Sequence, residues 1–310
     1  MTYRIHEHVP LAPLTTFRIG GPARWLVDVS SVADIRRALL FARTNGVPYT
    51  VLAGGSNMLI ADAGIPHMVM RMAGEQSRFA GSYLYAEAGC SLLALIQASA
   101  ALGLGGLESL AGIPGSIGGA VRGNAGAFGS EIFDVIEAVR AYHTRTDQVY
   151  DFSRDACDFS YRDSIFKRES EWIITHVVVK LREGTKAESE RKISKTLHER
   201  EKKHIQRIRS AGSFFQNPQA PPAVRALYEY EKKMMCHNRR VPAGWLIEKV
   251  GGKGLSVGGA SASEQHPNYL INASGDALAR DVYSLASQLQ KAVFDRYGIE
   301  MVPEVTCVGF

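Results

Sequence analysis

Two glycine-rich runs are the first stretches of this sequence whose residue types could do chemistry. Ala53-Gly54-Gly55-Ser56-Asn57 follows the apolar segment Tyr49–Leu52, and Gly112-Ile113-Pro114-Gly115-Ser116-Ile117-Gly118-Gly119-Ala120 carries four glycines between positions 112 and 119. Successive glycines let backbone N–H groups approach an anion with no Cβ in the way, and Ser56 and Asn57 add polar side chains. A backbone nest of this kind suits a pyrophosphate. Two of them in one chain point to a dinucleotide, without saying which. Neither run is a GxGxxG turn with an acidic residue about 20 positions further on, so a Rossmann site is not supported. Neither is GxxxxGK followed by Ser or Thr, so a P-loop is not supported.

The elements that must position these loops can be read from periodicity. Ala23–Val29 reads as a strand, and Val32–Asn45 as a helix with Ser31 as N-cap and Gly46 past its end. Tyr49–Leu52, Met58–Ile60 and Met68–Met72 read as further strands of a small α+β unit. Tyr83–Ala88 is a strand and Ser91–Leu102 a helix ending at Gly103. Val135–His143, Gln148–Phe152 and Trp172–Leu181 have hairpin-like spacing, which suggests an antiparallel sheet. Thr185–Arg209 reads as a long, highly charged helix with a solvated face, and no aromatics interleave its charges as nucleic-acid binding would favour. The last unit is expected to hold strands near Trp245–Glu248 and Tyr269–Asn272 and a helix over Ala277–Tyr297. In that helix Val282, Leu285, Ala286, Leu289 and Val293 keep helical spacing. Glu300–Val308 reads as a closing strand, and Ala223–Met234 as an inserted amphipathic helix.

Composition sets the bounds. The chain has 310 residues, 45% of them hydrophobic and 22% charged, with a formal net charge of +5. That is enough chain for two or three domains of ordinary globular composition. The four cysteines, Cys90, Cys157, Cys236 and Cys307, form no CxxC pair and no zinc-like cluster, so no metal site is expected and reduced thiols are the better reading. The polar start, Met1–Pro10, and the absence of a run of about 20 apolar residues suggest a cytoplasmic protein without a membrane span.

The loops resemble those of FAD proteins with the vanillyl-alcohol-oxidase type of fold. GIPGSIGGAVRGNAGA, residues 112–127, resembles the second FAD loop of one family in that group, the UDP-N-acetylenolpyruvoylglucosamine reductases. Thr15–Ala23 resembles its N-terminal signature, Tyr161-Arg162-Asp163-Ser164 its YRxS motif, and Ser210–Pro218, SAGSFFQNP, its SAGSxFxNP motif. Ala243–Glu248 and Pro303-Glu304-Val305 complete the series, which runs in the family's order over nearly the whole chain. No long loop bearing a substrate-capping tyrosine follows the YRxS segment, so the resemblance is to the shorter type.

The resemblance implies an α+β architecture: an FAD-binding fold of two subdomains, residues 1–75 and 76–205, a substrate-binding domain, 206–300, and a C-terminal strand, 301–310, returning to the active site. It implies non-covalent FAD with NADPH as co-substrate, and a sugar-nucleotide enolpyruvyl ether as the group reduced, yielding UDP-N-acetylmuramate for peptidoglycan synthesis. Ala53, Gly54, Gly55, Ser56, Asn57 and Leu59 would bind FAD together with Gly112, Ile113, Pro114, Gly115, Ser116, Gly118, Gly119 and Ala120. Arg162 and Glu304 would polarise the enol ether toward a carboxylate-stabilised enolate, Arg162 by a planar fork that Lys cannot copy. Glu304 would face a carboxylate-bearing substrate, which is easiest if it is protonated or paired with Arg162. Ser213 would protonate the enolate carbon, with nearby positive charge assisting a hydroxyl that is otherwise a poor acid. Tyr161, Asn217 and Lys203 would contact the substrate, with Lys202 an equal candidate for the lysine's register. An FAD-dependent oxidase acting on an alcohol or sugar is the alternative of the same wider fold. The resemblance specifies neither a nucleic-acid partner nor an oligomeric state.

Overall fold

The structure, a computed structural model, describes residues 3–202 and 208–310. It divides into two compact units, one of residues up to Val9, Ala23–Gly55 and Ile65–Lys202, the other of Pro10–Pro22, Ser56–Gly64 and the chain after Lys202.

The first unit holds two sheets. A four-stranded sheet runs in the order Ile5–Pro10, Pro22–Val29, Ile65–Met72, Tyr49–Leu52, and the last three of these pair in parallel. The helix Val32–Thr44 crosses from Pro22–Val29 to Tyr49–Leu52, and Ile65–Met72 lies between those two parallel strands. Ser31 caps that helix as its sequence suggests, its Oγ accepting the Asp34 N–H at 3.1 Å. Ile35, Ala38, Leu39 and Ala42 turn inward against Trp25, Val27, Val29, Met68 and Met70.

The second sheet is antiparallel throughout, in the order Gln148–Ser153, Ile136–His143, Trp172–Lys180, Tyr83–Glu87, Ser77–Ala80. Side chains alternate across a strand, and here both faces are used. Tyr142 and Ile173 join the core under the first sheet. Val139, Ala141, Val177 and Val179 pack with the helices Leu92–Ala101, Ile117–Arg122 and Lys186–Lys202. Between Arg162 and the strand at Trp172 there is only the single helical turn Ile165–Arg168, so the tyrosine-bearing loop has no counterpart. The charged helix is seen over Lys186–Lys202; residues 203–207 lie outside the described residues, and Ile208 and Arg209, expected to end the helix, are not helical.

The second unit has one apolar core, built by the helices Pro222–Lys232, Ala243–Lys249 and Ala279–Tyr297 and the small antiparallel sheet Ser256–Val257, Ala260–Ala262, Leu270–Asn272. Val282, Leu285, Ala286, Leu289 and Val293 are buried as their spacing predicts, and Gly298 ends the long helix at φ 63°. Two expectations need correction. Trp245–Glu248, expected as a strand, is part of the helix Ala243–Lys249. A run of four mostly apolar residues has no periodicity that separates a strand from a buried helical turn, and Pro242 with its extended backbone starts the helix. Glu300–Val308 is a strand only over Thr306–Val308, which pairs in parallel with Met58–Ile60. Pro303 has no N–H to donate, so its segment makes an isolated bridge to Phe215 instead of a continuous ladder.

Candidate functional site

The two glycine loops meet in the first unit. A Cβ on Gly54 would stand 2.5 Å from the Gly115 Cα, so only glycine permits this approach. A Cβ on Gly119, by contrast, would lie an ordinary 3.5 Å from the Ala53 Cβ. The second loop is pinned from below: the Ile117 N–H donates to Cys90 O and the Gly118 N–H to Ala88 O, both at 2.9 Å. Ser116 Oγ accepts the Gly119 N–H at 3.3 Å. Gly55, Gly112 and Gly115 occupy positive φ (60°, 82° and 112°), a backbone state open to glycine at no steric cost. The N–H groups of Gly54, Gly55, Gly115 and Ser116 donate to no acceptor among the described residues. Donors held by a pinned backbone, with no side chain in the way, fit the diphosphate of FAD. Ile113 and Pro114 lie in the same loop, and Ala120 is buried in the helix it opens. Leu59 is fully buried in the core of the second unit.

Two polar networks hold the proposed catalytic segments. In the first unit, Ser160 and Asp163 exchange both backbone hydrogen bonds at 3.1 Å, closing a turn with Tyr161 and Arg162 at its tip. Arg162 sits there at φ 57°, which a non-glycine residue adopts only at a cost. Its Nη2 donates to Gly126 O at 2.7 Å and its Nη1 to Asn124 O at 3.2 Å, with Glu131 Oε1 at 3.4 Å. The guanidinium also lies 5.1 Å from the centre of the Tyr161 ring. Ser164 Oγ ties this turn to Arg122 O at 2.7 Å.

In the second unit, Ser213 bridges Tyr269, and the next residues are clamped by the buried Asn268. Asn268 Oδ1 accepts the Phe215 N–H at 3.0 Å, its Nδ2 donates to Phe215 O at 2.8 Å, and its backbone O accepts the Phe214 N–H at 2.7 Å. The Glu304 N–H donates to Phe214 O at 2.8 Å, which sets Glu304 across from the residue after Ser213. Asn57 Nδ2 donates to Glu304 O at 3.1 Å, and Asn57 O accepts the Thr306 N–H at 3.1 Å. The structure therefore brings Ser213, Glu304 and Asn57 together within one unit; Tyr161 and Arg162 belong to the other. Asn217 Oδ1 accepts the Ala243 N–H at 3.0 Å and so fixes the start of a helix. Lys203 lies outside the described residues, whereas Lys202 ends the charged helix beside Glu199, at 2.8 Å.

Asn124, Glu131 and Asn268 escape a reading of sequence alone. Each acts on backbone or side chains distant along the chain, and no period or spacing marks such a role. The cysteines are quiet. Burial raises the thiol pKa of Cys90 and Cys307, and it pushes Cys157 up to about 12. Cys90 Sγ donates to Gln76 O at 3.2 Å, as befits a small buried residue. Among the described residues no helix is long and apolar enough to cross a membrane.

Comparison with known proteins agrees with this layout. Residues 23–150 match an FAD binding domain, and residues 203–308 match the C-terminal domain of UDP-N-acetylenolpyruvoylglucosamine reductase. The UDP-N-acetylenolpyruvoylglucosamine reductase of Synechococcus sp. (strain JA-3-3Ab) is 37% identical, over 99% of this chain and 92% of the relative. That of Solibacter usitatus is 36% identical, over 98% and 97%. The crystal structure of the Thermus caldophilus reductase superposes with a TM-score of 0.78 at 33% identity, covering 99% of both chains. With loops that fit a dinucleotide, an FAD-binding domain followed by a distinct C-terminal domain, and likeness to these reductases along nearly its whole length, the chain belongs to the UDP-N-acetylenolpyruvoylglucosamine reductase family.

Proposed function

We propose that in this FAD-dependent reductase, which converts UDP-N-acetylglucosamine enolpyruvate to UDP-N-acetylmuramate at the expense of NADPH, Arg162, Ser213 and Glu304 carry the catalytic roles. The observation that bears most weight is the pairing of Glu304 with the segment of Ser213 through the Glu304 N–H and Phe214 O at 2.8 Å. When bound, FAD supplies the hydride that it has taken from NADPH. The chain must then bind the enolpyruvyl carboxylate, stabilise the enolate and deliver a proton. Arg162 holds the carboxylate by charge-assisted hydrogen bonds. Ser213 Oγ gives its proton to the enolate carbon, a transfer that positive charge nearby must assist. Glu304, whose N–H is held by the carbonyl of the residue after Ser213, shares with Arg162 the task of polarising the enol ether. The N–H groups of Gly54, Gly55, Gly115 and Ser116 bind the FAD diphosphate, and Tyr161, Asn217 and Lys203 contact the sugar nucleotide.

Residues 1–75 and 76–205 form the two FAD subdomains in this reading, 206–300 the substrate domain, and 301–310 the C-terminal segment, which carries Glu304 and holds the short strand Thr306–Val308. Four free cysteines and a nucleotide-sugar substrate favour the cytoplasm. An FAD-dependent oxidase has less support, because oxidising a hydroxyl calls for a base where this site offers a proton donor and a carboxylate-binding arginine.

The test is a visible spectrum taken anaerobically through both half-reactions. The purified protein is expected to be yellow, to bleach with NADPH, and to regain colour when UDP-N-acetylglucosamine enolpyruvate is added. Arg162→Ala and Glu304→Ala should bleach normally and recover slowly or not at all. Bleaching without recovery in the unaltered protein would remove the substrate assignment, and a colourless protein that takes up no FAD would remove the whole reading.

A further inference from the structure

Arg162 does not hold its position alone. Around it the first unit builds a set of hydrogen bonds from a second segment, residues 124–134. Asn124 is 1% exposed and sits at φ 42°, a left-handed state that Asn tolerates better than other side chains. Its Nδ2 donates to Glu131 Oε2 and to Ser160 O, both at 2.8 Å, and its Oδ1 accepts the Phe133 N–H at 3.4 Å. Its backbone O accepts Arg162 Nη1 at 3.2 Å. Glu131 stands between two donors. One carboxylate oxygen takes Asn124 Nδ2 at 2.8 Å and the other faces Arg162 Nη1 at 3.4 Å. Asp134 Oδ2 in turn accepts the Glu131 N–H at 2.9 Å. Gly126 must be glycine for the arrangement to close, since a Cβ there would meet Ser130 O at 2.7 Å and Glu131 Cγ at 2.9 Å.

We propose that Asn124 and Glu131 are positioning residues for Arg162, aiming its guanidinium at the substrate carboxylate. The inference rests on the reading that Arg162 holds that carboxylate. A carboxylate is required at 131 because both of its neighbours are donors. A glutamine there would offer one acceptor and turn its amide N–H₂ toward the other donor. Asn124 is required because one side chain must satisfy Glu131, the turn at Ser160 and the Phe133 N–H at once. The left-handed backbone of Arg162 is thereby over-determined from outside, the condition under which a strained residue persists. A planar fork has value only if its orientation is fixed, and a misplacement of about 1 Å can cost on the order of 100-fold in rate.

The experiment is anaerobic stopped-flow on the FAD-loaded, full-length protein, with four forms: unaltered, Glu131→Gln, Arg162→Ala, and the double variant. Glu131→Gln is expected to bleach with NADPH at the unaltered rate and to recover colour with UDP-N-acetylglucosamine enolpyruvate roughly 10–100-fold more slowly. Arg162→Ala should recover more slowly still, and the double variant no more slowly than Arg162→Ala, because Glu131 acts only through the arginine. A merely structural role would slow both half-reactions, and that result overturns the proposal. So does recovery of Glu131→Gln at the unaltered rate, or a double variant slower than Arg162→Ala by the full Glu131→Gln factor. If Glu131→Gln does not hold FAD, Asn124→Asp, which keeps the side-chain shape and removes the Nδ2 donors, is put through the same cycle and decides. Recovery of Arg162→Ala at the unaltered rate would instead sink the carboxylate-holding role of Arg162, a separate result.

Discussion

The turn at residues 160–164 and the segment at 213–217 are held in opposite ways. The first is strained: Arg162 stands at positive φ, and its guanidinium is tied to backbone oxygens of a distant segment. In the second, no residue stands at positive φ. Its backbone pairs with residues 268–269 and 302–304, and the Asn268 side chain adds both remaining bonds at Phe215. The difference matches the tasks proposed for each. A residue that must present a planar fork needs its side chain fixed in orientation, and a local network does that. A residue that must present a short hydroxyl needs only its backbone placed, because Oγ follows from Cα within one torsion.

The sharpest way to break this comparison is Ser213→Ala. It should leave flavin content and NADPH bleaching intact while slowing recovery by roughly 10²–10⁴-fold, the usual worth of a positioned proton donor. Normal recovery in single-turnover absorbance would show that placing this backbone serves another purpose.

Next come the two asparagines. Asn268→Ala leaves the Phe215 N–H and C=O buried without partners and should lower stability by about 2–4 kcal/mol in urea titrations. Asn268→Gly should do no better. At Asn124 the order should differ: glycine should be less harmful than alanine by about 1 kcal/mol, because its backbone is left-handed there. Equal losses for Gly and Ala at 124 would mean that backbone strain is not what separates the two segments.

The glycine loops give a third contrast. Gly54→Ala forces the loops apart and should weaken FAD binding about tenfold or more, the effect of about 1–3 kcal/mol of overpacking. Gly119→Ala, whose Cβ would find ordinary contacts, should change the FAD dissociation constant little. Fluorescence titration of the apoprotein compares them.

The smallest expected effect lies away from both segments. Burial raises the pKa of Glu108, but hydrogen bonds from the Gly106 N–H and Ser189 Oγ and the charge of Lys192 outweigh it and leave the carboxyl below its ordinary value of 4.5. A depressed carboxylate stabilises the fold above the unfolded pKa, and that stabilisation is lost as pH falls through the folded value. Glu108→Gln should therefore cost about 1–2 kcal/mol at pH 7, with the gap from the unaltered protein closing below about pH 4.5. A gap independent of pH in acid denaturation would mean that the charge of Glu108 contributes nothing.

Much of this could be read before any coordinates. The helix Val32–Thr44 announces itself through Ser31 at its start and Gly46 past its end. The helix Ala279–Tyr297 does so through its five apolar positions from Val282 to Val293. The glycine loops declare an anion site because glycine is the residue a close backbone approach demands. Trp245–Glu248 misled, since a short apolar run carries no period of its own.

What the sequence determined by itself is whatever depends on near neighbours: helix phase, caps, the chemistry of the loops, and the ordered motifs that mark the family. Only the tertiary structure decided which distant groups meet. Asn57 reaches the Glu304 carbonyl across 247 positions, and Asn268 reaches Phe215 across 53. Glu131 closes on Arg162 across 31. Contacts at such separations are chosen by the packing of whole elements, and a single sequence carries no local signal of its eventual partner.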